Sequence, residues 1–223
     1  MKNYLKNLKI LKDGNVYSKT MEHDACGVGL IASTEGKKSR KVVEYGINAL
    51  KAVFHRGAVD ADGKTGDGAG IHLEIPSDFF AEKVEITGHK HDGSEICVGM
   101  IFLPRNDYEA QENARTIVES ELTKSNFNIY GWRQVPVNPK VLGEKANFTR
   151  PEITQVLFKH NDKSLKGKDL ERKLYESRRK IEKEAIKNAL DGFYICSLSS
   201  KSIIYKGMFL AESISEFYID LKD

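Results

Sequence analysis

Two kinds of apolar period follow one another along this chain in no fixed alternation, and that order constrains the fold more than any single motif. Helical spacing runs through Val42, Val43, Ile47, Leu50 and Val53 to about Phe54, with Ser39 as a candidate N-cap and Gly57 as a candidate closure. It recurs from Asp107 through Ala110, Ala114, Ile117, Val118 and Leu122, and over 169–190 through Leu170, Leu174, Ile181, Ala185 and Leu190. Short apolar runs predict strands at 27–33, 69–75, 96–103, 127–137, 153–158, 193–198 and 203–206, the last two as a hairpin across Ser199–Ser202. Pro76-Ser77-Asp78 opens a short helix around Phe79 and Phe80, and 84–95 reads as polar surface. Strands and helices therefore mix without strict alternation, and no glycine fingerprint opens a helix directly after a strand. The pattern implies α+β layers with mostly antiparallel sheets, and argues against a doubly wound parallel fold.

Composition excludes several function classes. With 223 residues, 40% hydrophobic and 30% charged, the chain has the make-up of a soluble globular protein. No apolar run approaches the roughly 20 residues of a membrane span. The net charge of +3 is spread along the chain, too thin for a nucleic-acid face. Three cysteines, none in a Cys-x-x-Cys spacing, argue against a disulfide framework or a metal site, and point to a reducing cytoplasm. Residues 1–25 carry five lysines but lack the uninterrupted apolar core of a secretory signal. Lysines and an asparagine interrupt Leu5, Leu8, Ile10 and Leu11, and Asp13-Gly14-Asn15 breaks a helix. This leader reads as a pro-segment with no fold of its own.

Two stretches carry chemistry. Glu22-His23-Asp24-Ala25-Cys26-Gly27-Val28-Gly29 sets a cysteine at the start of an apolar run, either as a nucleophile exposed by removal of the leader or as a small buried residue. Asp60 to Gly70 packs four glycines and three aspartates into eleven residues, which makes it a tight multi-turn loop. It is not a P-loop, because Ala58 stands where the first glycine is needed. Nor is it a calcium loop, because Ile71 stands at the twelfth position. It reads as a shaped wall bringing backbone amides near a reaction centre. His55 serves equally well as a helix-end cation. Cys97 and Cys196 sit in apolar runs and read as inert, Trp132 as a core residue, and the mixed charges of 171–184 as a solvated helix face.

His23 to Gly29, His55-Arg56-Gly57-Ala58, Asp62 to Gly70, Gly131-Trp132-Arg133-Gln134-Val135-Pro136, Arg178-Arg179-Lys180-Ile181-Glu182 and Phe193 to Leu198 follow one another in family order. Together they closely resemble the N-terminal glutaminase domain of the glutamate synthase large subunit. The resemblance implies a class II glutamine amidotransferase with the N-terminal-nucleophile fold, a four-layer αββα sandwich. It implies that residues 1–25 are a pro-segment and that 26–223 form the N-terminal half of the domain, incomplete at the C-terminus. The catalytic residue it implies is Cys26; Arg56 is implied to brace the nucleophile, and Gly66, Asp67 and Gly68 to pack beneath it.

The implied substrate is L-glutamine, hydrolysed to glutamate and ammonia for glutamate synthesis from 2-oxoglutarate. FMN and an iron–sulfur cluster are expected in the parent enzyme, with none in this segment. The expected partners are the remainder of the large subunit and a small electron-supplying subunit. The family's His-Gln-Arg-Phe-Ser clamp and Asn-Gly-Glu oxyanion segment do not occur here. Loss of one oxyanion donor costs ~10²–10³ in rate, so the segment alone is expected to be inactive. Two other readings stand beside this one: a non-catalytic association piece, and the glutaminase half of another class II amidotransferase.

Overall fold

The computed structural model describes residues 2–14, 27–53 and 57–222. Four strands, β2 (Cys97–Leu103), β3 (Phe127–Gln134), β4 (Glu152–His160) and β5 (Tyr194–Ser199), form an antiparallel sheet in the order β3-β4-β2-β5. Strands β1 (Ala69–Glu74) and β6 (Ser202–Gly207) form a separate antiparallel pair, with Ile71 opposite Tyr205. The helices are α1 (Lys2–Asp13), α2 (Arg40–Ala52), α3 (Ser77–Ile86), α4 (Tyr108–Lys124), α5 (Glu144–Phe148), α6 (Gly167–Lys187) and α7 (Ile214–Phe217). The expected α+β class with antiparallel sheets is the one observed.

Strand alternation divides the four-stranded sheet between two cores. Cys97, Ile101 and Leu103 of β2, with Val156 and Phe158 of β4, face Ala114, Val118 and Leu122 of α4 and Leu170, Leu174 and Ile181 of α6. Val98 and Met100, with Ile153 and Leu157, face the other way. They meet Ile203 and Tyr205 of β6, Ile47 of α2, Phe80 and Val84 of α3, Ile214 and Phe217 of α7, and Tyr218 and Leu221 just after it. Helix α4 starts where its sequence signals it: the Asp107 carboxylate accepts the Ala110 N–H at 2.9 Å.

Six expectations need correction. The leader is not without structure. No breaker interrupts Lys2 to Lys12, and the helix closes at Gly14, whose N–H donates to the Ile10 carbonyl at 3.0 Å. Segment 27–33 is not a buried strand: Val28 is 90% and Leu30 89% exposed. An apolar run records affinity for a core, but a strand also needs a ladder partner, and among the described residues 27–33 pairs with no strand. Helix α2 closes at Val53 and not at Gly57. Segment 84–95 is not all surface, since α3 continues past Phe80 and buries Val84 completely.

The fifth correction concerns β5 and β6, which are consecutive but form no hairpin. The Ser199 hydroxyl accepts the N–H groups of Lys201 and Ser202 at 3.0 and 3.2 Å, and Glu171 accepts the Ser200 N–H at 2.8 Å. This corner carries the chain from one sheet to the other. The charged face of α6 is accordingly not wholly solvated: Glu171 holds the corner, and Arg178 donates to the Ile195 carbonyl at 2.8 Å. Among the described residues no helix is long and apolar enough to cross a membrane.

Candidate active site

Cys26 and Arg56, with His55 and Phe54, lie outside the described residues. Gly66, Asp67 and Gly68 lie inside them, and their loop has the tight, shaped form expected. Its two arms meet through an antiparallel bridge between Val59 and Gly66, and the Asp60 N–H donates to the Thr65 carbonyl at 2.9 Å. Gly66 is buried against the turn after β6, where a Cβ would sit 2.7 Å from the Phe209 carbonyl oxygen. Only glycine lets the two backbones approach this closely. Gly68 has φ 134°, a conformation that side-chain-bearing residues rarely adopt.

Asp62 organises the outer arm. Its carboxylate accepts the N–H groups of Lys64 and Thr65 at 2.9 and 2.7 Å, and the Thr65 hydroxyl at 2.6 Å. Those hydrogen bonds, the Thr65 hydroxyl first, hold the carboxyl down at about 2. Thr65 is buried and accepts the Ala146 N–H of α5 at 3.4 Å. Outside this contact, Lys145 pairs with Asp60 at 2.9 Å and, through that hydrogen bond, lowers the Asp60 carboxyl.

A cleft of about 810 Å³ opens beside the loop. Gly27, Asp67, Gly68, Gly70, Leu142, Ala146 and Arg150 are among the residues that line it. A second cleft of about 960 Å³ runs along Gly27–Ser33, α2 and β1. Gly27 lines both, so the residue following Cys26 stands at the margin of each cleft. The structure thus brings two of the three described candidates, Asp67 and Gly68, to the same cleft as the chain leaving Cys26.

The other two cysteines have the inert surroundings expected of them. Burial pushes the Cys97 thiol far above its ordinary range and the Cys196 thiol up to about 11. Trp132 packs beside the α4/α6 core and donates to Glu119 at 2.7 Å. Arg150 was not among the residues singled out from sequence; burial lowers its guanidinium, and Arg105 nearby lowers it further. Asp62 and Thr65 were passed over too, although the Asp-x-x-Thr spacing is a recognisable signal for a side chain that closes a turn.

The class-II glutamine amidotransferase family matches residues 26–223. The chain is 54% identical to a glutamate synthase [NADPH] large chain of Azospirillum brasilense, over 97% of its own length and 14% of that protein's. It is 40% identical to ferredoxin-dependent glutamate synthase 2 of a Synechocystis strain, over 91% of this chain and 13% of the relative. The chloroplastic ferredoxin-dependent glutamate synthase of Spinacia oleracea is 39% identical, over 91% and 12%. This chain therefore spans about one seventh of the length of the curated relatives it matches. With the family matched from residue 26 to the last residue, the chain belongs to the class-II glutamine amidotransferases.

Proposed function

We propose that this segment is the part of a glutamate synthase that releases ammonia from L-glutamine, with Cys26 as its nucleophile. The observation that carries the reading is the cleft shared by Gly27 and the Asp67–Gly68 loop, in a chain whose family match begins at residue 26. Residues 1–25 then act as a pro-segment. Their removal turns the Cys26 nitrogen from an amide into a free α-amine, of pKa about 7.7–8.0 against roughly 10.4 for lysine. On the order of a tenth of that amine is free base at pH 7, enough to take the thiol proton directly or through water. The thiolate attacks the side-chain amide carbon, ammonia leaves with the proton, and water hydrolyses the glutamyl thioester. Arg56 braces the nucleophile's surroundings, and Gly66, Asp67 and Gly68 form the wall beneath them.

The same reading completes the two sheets and their flanking helices into an αββα sandwich. It sends the ammonia to a synthase site that makes glutamate from 2-oxoglutarate with FMN, an iron–sulfur cluster and a small electron-supplying subunit. Residues here do not fit the cluster. Iron–sulfur ligation needs several thiolates, whereas Cys97 and Cys196 are buried with ionisation suppressed, and among the described residues no group of three His, Cys, Asp or Glu could hold a metal.

The test is Cys26→Ala in the enzyme that carries this segment. Glutamine-dependent glutamate formation is expected to vanish while formation from added ammonia persists, and intact mass of the wild-type enzyme should show a mature chain starting at Cys26. Glutamine-dependent turnover by the variant would overturn the assignment.

A further inference from the structure

We infer that Asp62 and Thr65 are positioning residues: together they latch the Asp60–Gly70 loop to α5, so that the cleft wall at Asp67–Gly68 keeps its shape only while the latch is closed. This rests on the reading of Cys26 above for its catalytic consequence, but the latch is visible without it.

Three observations converge. The Asp62 carboxylate binds two amides and one hydroxyl of its own loop, which fixes where the Thr65 hydroxyl points. That hydroxyl is buried and spends its acceptor on the Ala146 N–H, one of the amides left unpaired in the first turn of α5. The third is Gly143, just before α5: a Cβ there would fall on the Asp62 carboxylate and the Thr65 hydroxyl, so the backbone entering α5 lies directly against these two side chains with no room for one of its own. From Thr65 the chain passes straight into Gly66, wedged against Phe209, and then into Asp67 and Gly68 on the cleft wall. Ala146 lines the same cleft as Asp67 and Gly68, so the latch joins two segments of its lining. The exposed Asp60–Lys145 pair sits outside it and is solvent-screened, so it is not part of the device.

The experiment is hydrogen–deuterium exchange on the enzyme that carries this segment, for Asp62→Ala, Thr65→Val, Gly143→Ala, Thr65→Ser and Lys145→Ala. The first three should speed exchange at both 64–68 and 144–147 by at least ~tenfold while β2 and β4 stay protected, as local opening requires. Thr65→Ser, which keeps the hydroxyl, and Lys145→Ala should match the wild type. Deprotection of the loop without α5, or of neither, would overturn the latch.

A second arm separates positioning from mere support. In the mature enzyme, a glutamine-shaped chloroketone should alkylate Cys26 more slowly in Asp62→Ala, on the order of 10²-fold, while iodoacetamide reacts at the wild-type rate. Equal slowing of both reagents, or of neither, would refute the positioning role. If the wild type itself shows no preference for the glutamine-shaped reagent, the Cys26 reading fails, and the exchange arm still decides the latch.

Discussion

The two faces of the four-stranded sheet are built on different principles. The face toward α4 and α6 is closed by apolar contact: Phe127, Phe158, Leu122, Leu174 and Ile181 are all essentially inaccessible, and Phe127 meets Phe158 edge to face at 5.2 Å. The opposite face also has an apolar centre, but it carries a buried polar network. Arg133 of β3 binds Asp220 through two nitrogens, at 2.8 and 2.9 Å, and Gln155 of β4 at 2.8 Å. Tyr205 of β6 completes it with a 3.4 Å hydrogen bond to Asp220. Both clefts and every described candidate residue lie on this second side. On the first face the polar contacts of Glu171 and Arg178 hold a corner and a strand carbonyl at its margin. The second holds a charged network at its centre, and polar groups in fixed positions are what a reaction site requires.

The largest test of this contrast is Phe158→Ala. It empties a fully buried site that α4 and α6 close from above, where neighbours on rigid elements cannot collapse into the space. The expected loss is about 3–5 kcal/mol in denaturant unfolding. A loss below ~1.5 kcal/mol would mean that this face is more plastic than its packing indicates.

Asp220→Ala comes next. Its carboxylate is 5% exposed and Arg133 is 15% exposed, so removing the acid strands a mostly buried guanidinium. The expected cost is about 3 kcal/mol, at the low end for a broken buried pair because Gln155 still accepts one of the Arg133 hydrogen bonds. The double variant Arg133→Met with Asp220→Leu should recover much of that loss, since apolar replacement of a whole buried pair is often neutral. Failure to recover would show that the pair also fixes how the two sheets meet.

The sequence speaks clearly about one face and partially about the other, for a physical reason. Helices α4 and α6 and the strands beneath them are written in local periods, and Asp107 marks a helix start within its own turn. The corner at Ser199–Ser202 is different: whether two consecutive strands pair or part depends on Glu171, which is remote in sequence. Val84 reads as surface in a polar stretch, but α3 runs on to Ile86 and turns it into the core shared with Phe80, which local composition does not encode. At the candidate site, Gly66 and Gly68 were legible because glycine-rich spacing announces tight backbone. Thr65 was not, because its role is a contact with Ala146, whose position no local pattern encodes. Cys26 and Arg56 were identified through motif order, and they lie outside the described residues.

The smallest expected effect is the sharpest on the second face. Apolarity made Val28 and Leu30 core residues of a strand, yet their side chains are 90% and 89% exposed along the cleft beside β1. Exposed substitutions away from caps, pairs and packed sites change stability by about 0.5 kcal/mol or less. Val28→Ser and Leu30→Ser in the 223-residue chain should therefore leave the unfolding midpoint nearly unmoved, in contrast with the several kcal/mol expected at Phe158. The comparison needs both measurements on one protein, because only the difference between them reports where burial stops. Were Leu30→Ser to cost as much as ~2 kcal/mol, a buried leucine's worth, segment 27–33 would be packed in solution. The second face would then be closed in the same apolar way as the first, and the cleft along β1 would have to be redrawn.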